Sequence, residues 1–315
     1  MTPRVRELAR DLRFPEGPVV CADGSVLVSE LAGGCITRIG PDGSRASFAT
    51  TGGGPNGLAR LPDGRMLVCQ SGGSSWAARR WPFDLPGSVE LTLPSGPSDI
   101  PEQPRLQVVE ADGTVNTAVA TFVARDGAVL PLGRPSDVCV DRTGGFWMTD
   151  SGAGHGRKRG LTGVLYGTPD FRLREVLFPL ELPNGVALSP DGDLLYVVET
   201  RTRRVWEFSI GADGELEGAR GLATVPSGGP LNFGGADGCC VDDHGRIIVA
   251  TLGTGGISVF SPAGELLAAL PLDDPMTTNV AFDARNHALV ITLASTGRLV
   301  AIDDWPVAVL GHADE

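Results

Sequence analysis

Six segments of the chain repeat one arrangement of polar and apolar positions. Each opens on a small polar or acidic residue, runs through a short apolar stretch, turns, and enters a second apolar stretch. The opening residues are Glu16, Asn56, Ser136, Asn184, Asp237 and Asn279. In five copies a glycine stands eight positions later, at Gly24, Gly64, Gly144, Gly192 and Gly245. The sixth copy has Asn286-His287 there, and asparagine also tolerates the left-handed backbone of a tight turn. Two and three positions beyond each opening residue the chain is apolar: Pro18/Val19, Leu58/Ala59, Val138/Cys139, Val186/Ala187, Cys239/Cys240 and Ala281/Phe282. Adjacent residues of a strand point to opposite faces, so this strand is predicted to be buried on both. A second strand follows each turn: SVLVSE, RMLVCQ, GFWMTD, LLYVVET, RIIVAT and ALVITLA. Asp-Gly between such runs is a strong hairpin signal.

A multi-stranded unit of about 40–50 residues is the mark of a propeller blade. The intervals between opening residues are 40, 80, 48, 53 and 42. The long one is either two blades or one blade with an insertion. It holds no further polar-plus-turn copy, and residues 71–104 look inserted, which predicts six blades rather than seven. A β-sandwich with evenly spaced hairpins would give no reason for a polar residue at one fixed phase. The expected fold is therefore all-β: residues 1–315 as a single six-bladed β-propeller domain, with an insertion at about 71–104.

Composition narrows the partners. A net charge of −12 disfavours nucleic acid, which needs a positive surface. There is no 18-residue apolar run to span a membrane, and the start MTPRVRELARDLRF lacks the apolar segment of a secretory signal. Six cysteines without a C-x-x-C pair suggest reduced core thiols and a cytoplasmic protein.

The first strand of each blade lines a propeller's channel, so the six opening residues should ring one mouth. Two are carboxylates and three are asparagines. Hard divalent cations take oxygen ligands of these kinds. Two like charges in a narrow channel would raise one another's pKa unless a cation or proton neutralised them. Asparagine and aspartate also start strands by bonding to backbone, which is an equal reading for Asn56 or Asn279 alone. It is a weak one for Glu16.

The motifs F-P-E-G-P (Phe14–Pro18), P-N-G-L-A…P-D-G (Pro55–Gly64), R-P-S-D-V…D-R-T-G-G…T-D (Arg134–Asp150), L-P-N-G-V-A-L-S-P-D-G (Leu182–Gly192) and A-D-G-C-C-V-D-D-H-G (Ala236–Gly245) resemble, in order, those of the gluconolactonase–regucalcin family of metal-dependent lactone hydrolases. The resemblance implies that Glu16, Asn184 and Asp237 hold one divalent cation, Ca2+ foremost, with Zn2+, Mn2+ or Mg2+ as alternatives. It also implies a substrate or metal contact at Arg134 and at Ser136, where the family usually has Asn. A serine there should reach the ion only through water.

The expected chemistry is metal-assisted hydrolysis of a lactone or related ester, with Asp237 as the base that takes water's proton. Hydrolase triads, zinc-peptidase motifs and phosphate loops are missing from the sequence. Strand order sends the loops after each second strand to the metal face, so His155, in SGAGHGRKRG, is the one histidine placed to reach the site. Asn56 should line the mouth too. The insertion brings Trp76, Trp81, Phe83, Arg79 and Arg80 to the same face. It reads either as a lid over a substrate with an apolar body or as a homodimer contact. Competing functions are a lyase, cyclase, isomerase or phosphotriester hydrolase on the same site, and a non-catalytic calcium-binding protein.

Overall fold

The computed structural model describes residues 3–81, 89–153, 160–227 and 235–311. The first strand, β1 (Val5–Ala9), belongs to the last blade. Blade one is β2 (Pro15–Val20), β3 (Val26–Glu30), β4 (Cys35–Ile39) and β5 (Arg45–Thr50). Blade two begins with β6 (Pro55–Arg60) and β7 (Met66–Gln70), leaves for the hairpin β8 (Ser74–Trp81) and β9 (Val89–Pro97), and resumes with β10 (Arg105–Val109) and β11 (Val115–Val119). Blade three carries the outer hairpin β12 (Thr121–Val123) and β13 (Val129–Pro131) beside β14 (Pro135–Val140), β15 (Phe146–Asp150), β16 (Thr162–Gly167) and β17 (Leu173–Leu180). Blade four is β18 (Pro183–Leu188), β19 (Leu194–Glu199), β20 (Arg204–Ile210) and β21 (Leu216–Thr224). Blade five is β22 (Gly235–Val241), β23 (Ile247–Leu252), β24 (Ile257–Phe260) and β25 (Leu266–Leu270). Blade six is β26 (Thr277–Asp283), β27 (Ala288–Leu293) and β28 (Arg298–Ile302), completed by β1.

The protein is a six-bladed β-propeller. Its inner strands touch in a closed cycle, β2 to β6, β14, β18, β22, β26 and back to β2. Ring closure rests on β1, which pairs antiparallel with β28, and on the Arg6–Asp303 ion pair at 2.7 Å.

The core is divided into six apolar layers, one at each junction between neighbouring blades. Cys21, Leu27 and Ile36 of blade one meet Leu58, Met66 and Val68 of blade two, for example. Every blade is therefore buried on both faces, which is why successive strand residues are apolar. All six cysteines are free thiols.

Two expectations need correction. Where one insertion was expected, the 80-residue interval contains two: the antiparallel hairpin β8–β9, inside 71–104, and β12–β13 beyond it. In the sixth turn the left-handed residue is His287 (φ 45°), not Asn286; Asn286 instead bonds its amide to Asp283 at 2.7 Å. No helix among the described residues is long and apolar enough to cross a membrane.

The C-terminal segment is latched to blade five by a buried pair. Asp242 accepts from Arg246 Nε at 2.6 Å and from Trp305 Nε1 at 2.8 Å, and Arg246 lies over the Trp305 ring. Removing one partner of a buried pair leaves the other charge uncompensated. Asp242→Ala should thus destabilise the fold by about 3–5 kcal/mol in urea unfolding; a loss below about 1 kcal/mol, the range of an exposed pair, would contradict this account.

Candidate metal centre

A backbone irregularity aims the opening residues. In every blade the register between first and second strand shifts at this point: Glu16/Val19, Pro55/Leu58, Pro135/Val138, Pro183/Val186, Ala236/Cys239 and Thr277/Asn279. Such bulges release residues from the ladder and re-aim their side chains. Four opening residues follow a proline, whose missing N–H costs nothing at a strand's first position. Gly17 (φ 44°) then allows the next blade close: a Cβ there would sit 2.7 Å from the Asn56 carbonyl oxygen.

Side chains of neighbouring elements lock the ring. Ser29 Oγ donates to the Asn56 carbonyl at 2.6 Å, Thr149 Oγ1 to that of Asn184, and Thr278 Oγ1 to that of Pro15 at 2.9 Å. The last residue of four second strands accepts N–H groups from the segment feeding its own blade. Glu30 takes Arg13, Gln70 takes Gly54, Asp150 takes Gly133 and Arg134, and Glu199 takes Glu181. Arg134 is therefore fixed through its backbone, while its guanidinium donates to Ser74 Oγ at 3.4 Å, at the foot of the β8–β9 hairpin.

Glu16, Asn56, Ser136, Asp237 and Asn279 are buried and Asn184 is partly buried. Asn184 Nδ2 donates to Asp237 Oδ1 and, at 3.2 Å, to Thr200 Oγ1. The Thr200 carbonyl also accepts from Ala236 N, so this one residue steadies the segments carrying both Asn184 and Asp237. Ser136 Oγ is bonded to Ser151 Oγ, which also donates to the Arg134 carbonyl. Asn56 joins the ring through the carbonyl held by Ser29. Trp76 packs against Phe14, ring centroids 4.9 Å apart and planes tilted by 55°. His155, Phe83 and the side chain of Trp81 lie outside the described residues.

The sequence reading missed Asp137. It occupies the position after the opening residue that is glycine in four other blades (Gly17, Gly57, Gly185, Gly238), and that substitution was the available signal. Asp137 and Asn279 come from opposite blades, three and six, and the Asn279 amide favours the charged forms of both Asp137 and Glu16.

Three carboxylates, Glu16, Asp137 and Asp237, are thus buried within electrostatic reach of one another. Burial, and then the charge of Asp137, push the Glu16 carboxyl up to about 8. Burial pushes Asp137 up to about 7, against the Val138 and Val186 N–H groups and the Asn279 amide. Asp237 is held well above the ordinary carboxylate range by burial, then by Glu16 and Asp137; the Arg134 guanidinium pulls it down. Carboxylate and amide oxygens are the ligand types a hard divalent cation takes; here the Asn184 amide donates to Asp237, and the Asn279 amide oxygen accepts from Val280 N at 2.8 Å. A second acidic group, Asp242, Asp243 and His244, lies at a turn on the far face, where Asp242 is already committed to Arg246 and Trp305.

An acid whose pKa is higher folded than unfolded stabilises the protein below its unfolded value and loses that contribution as pH rises through the folded one. For Glu16 the window runs from 4.5 to about 8. The cation-free protein should melt at progressively lower temperature from pH 5 to 8, and Glu16→Gln should flatten the slope. A melting temperature that stays level or rises across this range would contradict the mutual repulsion.

A family model described as the SMP-30/Gluconolactonase/LRE-like region matches residues 14–295. The lactonase drp35 of Staphylococcus saprophyticus is 26% identical over 264 residues, covering 80% of this chain and 69% of its own. Among solved structures, a gluconolactonase from Xanthomonas campestris superposes with a TM-score of 0.73 at 26% identity, covering 96% of this chain and 89% of that one. Regucalcin from Agrobacterium tumefaciens, titled a calcium-binding protein, superposes with a TM-score of 0.70 at 19% identity over 96% and 94% of the two chains, a likeness of fold. On the match to residues 14–295, the chain belongs to the SMP-30/gluconolactonase/LRE-like family.

Proposed function

We propose that this protein is a lactonase working at the mouth of the propeller channel, with one divalent cation, Ca2+ in first place, held by Glu16, Asn184 and Asp237. The relatives named lactonase and gluconolactonase support hydrolysis of a lactone. The cation reading is supported by one observation: Glu16, Asp137 and Asp237 are all buried, and Glu16 and Asp237 are further raised by the neighbouring carboxylates, with Arg134 the basic group that pulls on Asp237.

When bound, the cation would supply a Lewis acid for the lactone carbonyl and a lowered pKa for water. The chain's own residues do the rest. Arg134, anchored by Asp150 and Ser74, orients the carbonyl or hydroxyl oxygens of the substrate. Asp237 accepts the proton of the attacking water and returns it to the ring oxygen as the acyl C–O bond breaks, leaving a hydroxy acid. Asp237 is apt for this because burial, then Glu16 and Asp137, hold it well above the ordinary carboxylate range, which makes its ionised form a stronger proton acceptor. Ser136, tied to Ser151, and Asn56 line the mouth.

Hydrolysis of a lactone panel should disappear after exhaustive chelation and return with Ca2+; equal rates before and after would contradict the cation's role. Asp237→Asn, compared at saturating cation, should lower turnover by about a hundredfold to ten-thousandfold. A protein that only binds calcium would instead show changed affinity and no turnover in either form. Thr200→Val, which removes the acceptor for the Asn184 amide, should weaken cation binding roughly tenfold to hundredfold by calorimetry. Thr200→Ser should keep it, and equal affinities for all three forms would remove Thr200 from the site.

A further inference from the structure

We infer that the lactone carries an apolar arm, seated in the cleft between the β8–β9 hairpin and the rim of blades one and six. This deepens the lactonase reading and rests on it. The cleft has a volume of about 380 Å3. Leu12, Phe14, Ala32 and Ala294 form its apolar walls, and Trp76 of the hairpin closes it. Leu12, Phe14, Ala32 and Ala294 are shielded to different degrees, whereas Asp11, Arg13 and Thr296, which also line the cleft, are exposed. Polarity thus falls from the solvent side inward.

Position ties the cleft to the chemistry. Phe14 lies two residues before Glu16, and Ala294 directly follows β27, the strand paired with the one that carries Asn279. The hairpin spans the distance between the two sides of the mouth. Its foot, Ser74, touches Arg134 of blade three, and two residues on Trp76 meets Phe14 of blade one with its ring tilted. The same apolar group continues through Leu93 on β9, Met276 just before β26, and Leu252 at the end of β23. The opposite side of the mouth is different in kind. There a cleft of about 250 Å3 is lined by Arg134, Glu102, Ser71 and Ser98 among glycines and prolines. A ring whose oxygens face Arg134 would therefore point a substituent toward Trp76, where an alkyl chain gains by leaving water and a hydroxylated one loses hydrogen bonds.

The test is a series of γ-lactones with unbranched side chains of increasing length, from γ-butyrolactone to γ-decalactone. Each is hydrolysed by the Ca2+-loaded protein, and each kcat/KM is divided by the rate in hydroxide. The expected result is a rise of up to about fourfold per methylene until the cleft is full. Trp76→Ala should reduce the decalactone-to-butyrolactone ratio at least tenfold. Ala294→Phe, which fills the cleft from the opposite wall, should do the same. A flat or falling series, or ratios unchanged in both variants, overturns the arm while leaving the lactonase reading intact. Hydrolysis of none of the lactones overturns the lactonase reading itself, and the arm with it.

Discussion

The mutual repulsion of Glu16, Asp137 and Asp237 is the constraint around which the mouth of the channel is organised. Carboxylates left to themselves would turn to water, and these cannot. A closed ring of inner strands, sealed by β1 and packed through six apolar layers, fixes where each blade's first strand begins. A register shift at each strand start then breaks the ladder at the opening residues. Packing energy spread over the whole propeller thus holds together a charge arrangement that is unfavourable without a positive partner. Such a cluster is costly as a structural element, and the proposed cation would remove the repulsion that the fold imposes.

The two sides of the mouth are built unequally. Between blades two and three the loops bring Arg134, glycines and hydroxyls; between blades six and one they bring Phe14, Ala294 and the overhanging Trp76. The β8–β9 hairpin ties the two sides together, because Ser74 and Trp76 stand at its two contacts. Loops leaving the second strands of a rigid propeller can diverge without disturbing the blades.

Much of this could be read from the sequence, because a blade repeats and a repeat turns phase into position. Equal phase for Glu16, Asn184 and Asp237 means equal places on three first strands, and the paired apolar residues beyond them mean burial on both faces. Three things escaped that reading for physical reasons. Asp137 hid one residue beyond the opening position, in a slot where neighbouring blades need glycine for close approach. The role of β1 depends on which distant strand completes the last sheet, which no local pattern specifies. The β12–β13 hairpin is short and largely exposed, so it carries no apolar period. The pairings that lock the ring, Ser29 to Asn56 or Thr200 to Asn184, join residues of different segments and become visible in three dimensions alone.

The central claim is that the buried carboxylates hold protons when alone and exchange them for one cation. Isothermal titration of the metal-free protein with CaCl2 at pH 7, repeated in buffers of different ionisation enthalpy, measures both quantities at once. One ion bound per chain, with net proton release that shrinks as pH rises toward 9, is the predicted result. Binding without proton release, or no saturable binding near one ion per chain, would contradict it.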